Sequence, residues 1–365
     1  MGTQKIFGVL EGGGVRGIAH AGAYEAVSRT AQCEFAGIAG TSAGSIVAAL
    51  IAAGASPEFI KQLLLSTDFR EFLDPECRDV NIATARTLVE GLLNEGMLGR
   101  AMTITFALFS NDSLVTRLIS GNGIHSGAPF VAWFRGALQD CCGNAELRFR
   151  DIAGKHLKVI ATNLTTRSLT VFSSELTPDL TLWEAVRASI SVPFFFTPFK
   201  IGSGLFIDGG LLSNCPVWVF DDERHAFPSA PTVGFRLREP TPQPREPVSF
   251  VDFVSSFCET LWNTARDEND LRQNRDIPAL IMINLLADEL DWLAFDIDGN
   301  TKQQIYDNAV RVTAEALSRE LRPVAKASNG KGVFRRVAEE IFVVSRMNGR
   351  FRKRGETGTG LSRAA

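Results

Sequence analysis

Two successive parts of the chain near its N-terminus show the same pattern: a short apolar run, then glycines, then apolar residues at helical spacing. The apolar runs cover residues 6–10 and 35–39, and the helical spacing covers residues 18–29 and continues, after the second run, to about residue 53. A short apolar run bounded by glycines is typical of a buried strand, whereas a period of about 3.6 residues is typical of a helix. The pattern therefore predicts two consecutive units of strand, loop and helix.

The rest of the chain continues to alternate between these two patterns. Residues 57–140 have mainly helical spacing with glycine-rich breaks. Later strands are predicted at residues 157–162, 168–173, 204–207 and 279–285, and later helices at residues 182–189, 250–266 and 303–321. Strands that alternate with helices favour a parallel sheet covered on both faces. We expect an α/β fold of three layers, α/β/α, with a central, mostly parallel sheet and a helical, basic C-terminal extension.

The clearest linker is the proline-rich stretch at residues 239–247, because proline cannot continue a helix or a central strand. We expect a core over residues 5–220, a portion over residues 221–321 that packs on the same domain, and a separate segment over residues 322–365. That last segment holds eleven Lys or Arg against three Glu, a balance of +8 in a chain whose net charge is −3. It is a basic appendage.

Composition excludes several classes of protein. Hydrophobic residues make up 45% and charged residues 22% of the chain, as in ordinary globular proteins and unlike disordered or collagen-like ones. No apolar run approaches the roughly 18 residues of a transmembrane helix, and no signal peptide opens the sequence. The six cysteines are scattered without metal-binding spacing, which favours free thiols in a reducing compartment. We therefore expect a cytoplasmic protein.

The first candidate for chemistry is Ser42, in the sequence Gly40-Thr41-Ser42-Ala43-Gly44. In a nucleophile elbow, a sharp turn between a strand and a helix raises a serine hydroxyl out of the backbone, and small neighbours relieve the crowding. The predicted strand before Ser42 and the predicted helix after it match that arrangement. A glycine-rich packing turn without chemistry is the alternative.

The glycine loop Gly12-Gly13-Gly14-Val15-Arg16-Gly17 has two interpretations. It fits the G-x-G-x-x-G pattern of dinucleotide sites, but such sites carry an acidic residue at the end of the second strand, where this chain has Ser42. Three glycines before a helix also present backbone amides to an oxyanion. We favour an oxyanion hole formed by Gly12, Gly13 and Gly14.

Asp208 is the candidate base. It follows the predicted strand at residues 204–207 and precedes Gly209 and Gly210, so its carboxylate is expected at the end of a strand with glycines that permit close approach. An aspartate in an ordinary turn is the alternative, since Asp-Gly turns are common. An aspartate acting alone is a weak base toward an alcohol, so we expect an apolar, poorly solvated site that raises its basicity. Arg16 would add positive charge beside a bound anion or lipid phosphate, with a structural salt bridge as the alternative.

A glycine loop, then an elbow serine, then Asp-Gly-Gly, in this order, resembles the patatin-like phospholipase family. The resemblance spans about residues 5–220 and includes residues 149–152, 159–163, 188–193 and 208–217. Glu11 departs from it, because many family members have aspartate before the glycines. The resemblance implies a lipid acyl hydrolase that cleaves carboxylic esters of membrane phospholipids through a Ser42–Asp208 dyad and an acyl-enzyme, with no cofactor and no metal. The supporting residues of its motifs would be Arg16, Gly17, Gly40, Gly44, Gly209 and Gly210.

Two other functions stay open. Ser42, Asp208 and His225 follow the Ser, Asp, His order of α/β-hydrolases, so an esterase with a catalytic triad is the first alternative. The early elbow and the adjacent glycine loop are unlike the usual layout of that fold. A non-catalytic module that binds a nucleotide or a lipid through the glycine loop is the second. The remaining histidines are expected to be structural: His20 in the first helix, His125 in a glycine-rich loop and His156 at the start of a strand.

The expected partners are lipids. Residues 192–199 concentrate four phenylalanines just before Asp208, which suits either core packing or an acyl-chain channel. The basic residues at 346–354 would attract an anionic phospholipid surface by about 1 kcal/mol for each cation, with a solvated tail as the alternative. We expect transient, peripheral membrane association and no nucleic acid. Bacterial relatives in the family include toxins and effectors, so a regulated effector with an activating ligand or protein partner, and a homo-oligomer, are left open.

Overall fold

The computed structural model of the protein describes residues 3–30, 33–77, 121–238, 256–257, 260–261, 280–286, 290 and 292–320. Its strands are β1 Gln4–Leu10, β2 Cys33–Thr41, β3 Gly123–His125, β4 His156–Asn163, β5 Ser168–Ser173, β6 Phe194–Phe196, β7 Phe199–Ile201, β8 Gly204–Asp208, β9 Thr232–Arg238 and β10 Leu280–Leu286. Its helices are α1 Ile18–Arg29, α2 Ala43–Ala52, α3 Pro57–Ser66, α4 Ala128–Cys142, α5 Leu182–Ser189 and α6 Gly299–Glu320. The predicted linker at 239–247, most of the predicted helix at 250–266, residues 78–120 and the basic segment lie outside the described residues.

The central sheet has the strand order β10-β9-β1-β2-β4-β8-β7, and β5 also pairs with β4. From β10 to β4 every pairing in that order is parallel, whereas β4 with β5, β4 with β8, and β7 with β8 are antiparallel. The prediction of an α/β fold with a central, mostly parallel sheet is confirmed. β9 is missing from the predicted strands because Gly234 and Arg236 interrupt its apolar residues.

β4 is the strand that brings distant parts of the chain together. Along one edge it pairs with β5, from Lys158 to Asn163. A strand has only two edges, so the other edge serves both β2, whose pairing ends at Ile160, and β8, whose pairing begins at Ala161. β2 is parallel to β4 and β8 is antiparallel to it. The last residues of β2 and β8 therefore meet partway along β4.

One face of the sheet packs against the loop that follows β8. The contact is a buried hydrophobic cluster, to which β1 contributes Phe7 and Val9 and the loop contributes Val217 and Phe220. Phe220 is fully buried and stacks on Phe7, with 4.8 Å between the ring centroids. Gly37 on β2 leaves room for Phe220, because a Cβ atom there would lie 2.8 Å from its ring. The packing anchors the loop whose first residues lie beside the candidate site.

Two helices begin where their N-terminal residues predict. Ser56 caps α3 by accepting the Phe59 amide at 3.1 Å, and Pro57 occupies the first turn, as expected of a proline there. α5 begins with a capping box, in which Thr181 Oγ1 accepts the Glu184 amide and Glu184 Oε2 accepts the Thr181 amide at 3.1 Å. The capping fixes α5 so that its last residue reaches the end of β2.

Some expectations are wrong or incomplete. His125 does not lie in a loop, because it ends β3, which pairs in parallel with β6. β6 and β7 come from the phenylalanine-rich stretch, whose run of aromatic residues has strand propensity but no alternation of polar and apolar positions. Cys33 and Cys215 are buried free thiols, but Cys142 is an exposed one. Among the described residues, no helix combines the length and the apolar character needed to cross a membrane.

Replacement of Phe220 tests the packing of this loop. Phe220→Ala should lower the free energy of unfolding by about 3–5 kcal/mol, because it leaves a cavity against Phe7 that the sheet cannot fill. Phe220→Leu keeps most of the volume and should cost less than about 1.5 kcal/mol. Urea unfolding monitored by circular dichroism measures both values. Equal stability of the wild type and the alanine variant would contradict this packing.

Candidate active site

Ser42 occupies a sharp turn between β2 and α2. Its backbone has φ 50° and ψ −125°, a conformation that residues with a side chain rarely adopt. Such a residue costs on the order of 1–3 kcal/mol and persists only where its surroundings hold it. The Ser42 amide donates a hydrogen bond to Ser189 Oγ at 2.9 Å, and Ser189 Oγ donates to Ile160 O at 2.6 Å. The turn has the backbone shape of a nucleophile elbow.

Two glycines make this turn possible. A Cβ atom on Gly40 would collide with the Gly44 carbonyl, and a Cβ atom on Gly44 would collide with the Leu10 carbonyl. The first turn of α2 therefore packs directly against the end of β1. This close approach brings the residues after β1 next to Ser42.

The glycine loop lies against Ser42. A Cβ atom on Gly12 would be 3.0 Å from Ser42 Cβ. Asn214 holds the loop from the other side, because Asn214 O accepts the Gly12 amide at 3.3 Å and Asn214 Nδ2 donates to Gly12 O at 3.1 Å. Asn214 is itself buried. The two hydrogen bonds fix the position of the loop relative to the serine.

The hydrogen bond to Asn214 changes one expectation about the oxyanion hole. The Gly12 amide already has an acceptor, so in this geometry it is not available to an oxyanion. Within the described part of the chain, no acceptor is bonded to the amides of Gly13 and Gly14. Gly14 has a φ of 56°, and a Cβ atom there would collide with the Trp292 carbonyl. Gly13 and Gly14 are the remaining candidate donors, and Gly12 supplies the close approach.

Asp208 is fully buried at the end of β8. The register pairs Thr41 with Ile160 and Asp208 with Ala161, which are neighbouring positions on the same edge of β4. Ser42 would be the next residue of β2 along that edge, but the chain turns away there and Asp208 takes the place beside Ala161. The serine and the aspartate are therefore brought together from distant parts of the sequence.

The Asp208 carboxylate is held at one oxygen and available at the other. Oδ1 accepts the Gly210 amide at 2.8 Å, and the Asp208 amide donates to Ser191 O at 2.9 Å. Oδ2 is buried and accepts no hydrogen bond of ordinary geometry from the described residues.

Burial raises the pKa of Asp208 to about 7. The Ser42 hydroxyl and the Gly210 amide favour the charged carboxylate and lower the pKa, but they offset only part of the desolvation. The expectation of a poorly solvated site that raises the basicity of the aspartate is confirmed.

The other motif residues pack around this pair. A Cβ atom on Gly17 would lie 2.8 Å from Ala43 Cβ, and one on Gly209 would collide with the Ile160 carbonyl. Arg16 is buried in the helical turn that follows the glycine loop. Its contact with a lipid phosphate stays a prediction.

Glu11 and His20 fix the start of the glycine loop. Glu11 is fully buried, and its Oε2 accepts the Leu237 amide of β9 at 2.6 Å. His20 Nε2 lies 2.7 Å from Glu11 O, and burial lowers the pKa of His20 to about 4. A neutral His20 that donates from Nε2 to this carbonyl has the structural role expected of it.

The backbone that carries His225 lies at the other end of the sheet. The preceding residue, Arg224, donates to Thr232 Oγ1 at 2.6 Å. Thr232 lies in the same row of the sheet as Gly37, because both residues pair with Phe7 of β1. Ser42 is five residues beyond Gly37, roughly 16 Å along the strand direction at the usual rise. The segment with His225 is therefore remote from the serine.

His156, Glu175 and Glu223 are the one group of potential metal ligands that the described residues bring within 4.8 Å of one another. Lys158 Nζ lies 2.6 Å from Glu223 Oε1 and already places a positive charge there. His156 pairs with Gly37, so this group also lies at the end of the sheet away from Ser42. It has no part in the chemistry of the serine.

An apolar cavity borders Ser42. Its volume is about 80 Å³, and it is partly open to solvent. α2 contributes Ile46 and Val47 to its wall, and aromatic side chains, Phe72 and Trp133 among them, also line it. Phe196 from the phenylalanine-rich stretch also lines it. Part of that stretch therefore borders the cavity, as an acyl-chain channel requires.

Three residues that shape the site were not among the predicted site residues. Ser189 holds the Ser42 amide, and Ser191 holds the Asp208 amide. Trp292 accepts the Val15 amide at 3.0 Å and lines the cavity. The two serines belong to the stretch at 188–193 that resembles the family, which is the signal that could have singled them out. Trp292 lies beyond the resemblance and carries no such signal.

Comparison with known proteins identifies the family of the chain. A family model described as patatin-like phospholipase matches residues 8–221. Over 278 residues the chain is 31% identical to the uncharacterized protein YqhO of Bacillus subtilis (strain 168), which covers 73% of this chain and 82% of YqhO. A stretch of 64 residues is 36% identical to the probable lipid hydrolase 463L of Invertebrate iridescent virus 6, which covers 18% of this chain and 22% of that protein.

The fold is also similar to the crystal structure of VipD from Legionella pneumophila. The TM-score is 0.51 at 17% sequence identity, with 87% of this chain and 67% of VipD covered. At this identity the similarity concerns the fold alone. The family match covers more than half of the chain and contains the glycine loop, Ser42 and Asp208. The protein therefore belongs to the patatin-like phospholipase family.

Proposed function

We propose that the protein is a lipid acyl hydrolase that cleaves carboxylic esters of phospholipids or lysophospholipids with Ser42 as nucleophile and Asp208 as base. The observation that carries the proposal is the meeting of β2 and β8 on one edge of β4, beside an apolar cavity. It sets a serine in a strained turn next to a buried carboxylate. Family membership, and the similarity to a viral protein described as a probable lipid hydrolase, support the same class of reaction.

The first half of the reaction forms an acyl-enzyme. Asp208 Oδ2 accepts the proton of the Ser42 hydroxyl while Ser42 Oγ attacks the carbonyl carbon of the ester. The amides of Gly13 and Gly14 donate hydrogen bonds to the oxyanion that develops. As the tetrahedral intermediate collapses, the bond to the alcohol breaks and Asp208 returns its proton to the leaving oxygen. The acyl group stays on Ser42.

The second half releases the fatty acid. Asp208 takes a proton from a water molecule, which attacks the acyl carbonyl, and the same two amides stabilise the second oxyanion. When this intermediate collapses, the bond to Ser42 Oγ breaks and Asp208 gives the proton back to the serine. The enzyme is then ready for another ester.

The cavity favours a long acyl chain as the group bound beside Ser42. Its wall is mainly aliphatic and aromatic, and each methylene group that leaves water for such surroundings contributes about 0.8 kcal/mol. Chains of this kind are held in membranes, so we propose that the protein associates transiently with a membrane surface. An activating ligand, a protein partner and a homo-oligomer stay predictions.

The two alternatives have less support. An esterase triad needs the His225 imidazole within hydrogen-bonding distance of Ser42, and its backbone segment lies at the other end of the sheet. A module that only binds a nucleotide or lipid would not require a raised pKa on a buried aspartate beside a serine.

Ser42→Ala should lower the hydrolysis of phosphatidylcholine or lysophosphatidylcholine by about 10³-fold or more, because the nucleophile is removed. Mass spectrometry of released fatty acid measures the rate. A fluorophosphonate probe should label the wild-type protein and not the variant. The matched control is Ser66→Ala, which changes an exposed serine at the end of α3 and should retain both properties. Folded wild-type protein that resists the probe would favour a binding module.

The pH dependence of kcat/KM should report the ionisation of Asp208. Only charged Asp208 can accept the serine proton, and burial raises its pKa to about 7, so kcat/KM should fall as the pH drops through about 7. An ordinary aspartate would give a midpoint near about 4. Initial rates between pH 5 and pH 9 with a soluble ester measure the profile. Asp208→Asn should be nearly inactive across that range. A rate that stays constant down to pH 5 would contradict the assignment of the base.

His225→Ala should keep activity within about twofold of the wild type, because the dyad does not use this side chain. The assay is the same fatty-acid release. A loss as large as that of Ser42→Ala would instead establish the triad of an α/β-hydrolase esterase.

A further inference from the structure

The sheet extends past the catalytic pair on one side. There Asn163 of β4 pairs with Phe206 of β8, which pairs with Phe199 of β7. The Leu164 amide donates to Leu205 O at 2.8 Å, so the turn between β4 and β5 belongs to the same end of the sheet. We call the surface formed by residues 163–168 and 194–205 the hairpin surface. Residues 163–168 and 199–205 lie at the end of the central sheet toward which β2 and β4 run, as does the serine. Residues 194–198 precede β7 directly in the chain, and β6 pairs with β3 in a separate sheet.

Two large apolar side chains are exposed on the hairpin surface, Leu164 at 43% and Phe194 at 44%. A single exposed apolar residue is common, but Phe194 also has a φ of 66°, which bulky residues rarely adopt. Neighbouring structure must hold this strain, and the result is an aromatic ring in solvent. Val192 and Phe196, two residues before and after it, line the cavity. The exposed ring therefore stands beside the cavity.

The charges of the hairpin surface are all positive. Arg167 and Lys200 are exposed, and neither residues 163–168 nor residues 194–205 contain an aspartate or a glutamate. A contrasting position is Leu176, which is exposed at 68% and lies after Glu175, near the start of β4. An exposed leucine by itself is therefore not a feature that sets the hairpin surface apart from the rest of the protein surface. Of the two places compared, only the hairpin surface combines exposed apolar side chains, cations and a nearby cavity.

We propose that the hairpin surface is the face with which the protein docks on an anionic phospholipid bilayer. Phe194 and Leu164 enter the interfacial region, and Arg167 and Lys200 lie against the headgroups. Buried apolar area and attraction of cations to anionic lipid are the two contributions that hold proteins at such an interface. The inference rests on the proposed function, since an acyl chain must leave the bilayer to reach the cavity. Docking on this face brings the cavity next to the lipid.

Vesicle binding tests the docking face in the full chain with Ser42→Ala, so that hydrolysis does not change the lipid. Flotation with vesicles of phosphatidylcholine, with and without phosphatidylserine, measures the affinity. L164S/F194N should bind vesicles that contain phosphatidylserine about tenfold more weakly or worse, because the inserting side chains are lost. Asparagine tolerates positive φ, so it keeps the backbone at residue 194. F194W keeps a large aromatic ring at residue 194 and should bind these vesicles with the affinity of the parent.

A further variant tests the contribution of the cations to vesicle binding, and another serves as a control. R167E/K200E should weaken binding by about tenfold or more to vesicles with phosphatidylserine, and should leave binding to phosphatidylcholine alone unchanged. L176S is the matched control, since it removes a more exposed leucine beside an acidic residue, and it should bind as the parent does. Unchanged binding by L164S/F194N, an equal loss in L176S, or no vesicle binding by the parent would overturn the proposal.

The same substitutions in the active chain distinguish docking from catalysis. L164S/F194N should hydrolyse a soluble short-chain ester, p-nitrophenyl butyrate, within about twofold of the wild type, and should hydrolyse vesicle phosphatidylcholine about tenfold more slowly. An equal loss on both substrates would mean that the site itself is damaged and would overturn the docking role. If the wild type hydrolyses neither substrate, the proposed function fails, while flotation still decides the docking face.

Discussion

The whole site depends on how the edges of β4 are shared. Because β5 occupies one edge, the other edge must accept the ends of β2 and β8 in sequence, and neither strand can extend without displacing the other. β2 gives way by turning sharply at Ser42, and β8 stops at Asp208. The hydrogen-bonding capacity of a single strand thus determines both the strained backbone of Ser42 and the position of Asp208, its proposed base. Ser189 reinforces the junction by joining the Ser42 amide to the Ile160 carbonyl.

This arrangement stores strain where the chemistry takes place. The backbone at Ser42 is unfavourable by on the order of 1–3 kcal/mol, and an aspartate kept out of water also opposes folding when it is charged. The close contacts of the glycines with neighbouring backbone, and the buried cluster around Phe220, hold the region against these costs. Asn214 connects the glycine contacts with the Phe220 cluster, since its loop continues into that cluster and its hydrogen bonds fix the Gly12 backbone.

Local pattern predicts much of this fold and less of the site. The bounds of α1, α5 and β5 agree with the predicted ranges, because the apolar spacing of each segment, and the capping box of α5, are encoded locally. Ser42 and Asp208 were recognisable because close contacts with neighbouring backbone restrict the residues beside them to glycine. Long-range pairing leaves no such local mark: β9, which pairs with β1, was missed, and so was the hydrogen bond that occupies the Gly12 amide. That bond joins residues distant in sequence, and only the folded sheet brings them together.

In the proposed mechanism, burial explains how Ser42 can be activated without histidine. A histidine base has a pKa near about 6.5, which suits proton transfer at neutral pH, whereas an aspartate in water has a pKa near about 3.9 and is a weak base there. Burial at the junction of β2 and β8 raises the pKa of Asp208 to about 7 and gives it comparable basicity. The site must therefore stay dry while it works. Trp292 and the aromatic side chains line the cavity beside Ser42. In the proposed reaction a bound acyl chain would exclude water there, so the substrate itself would complete the environment on which the base depends.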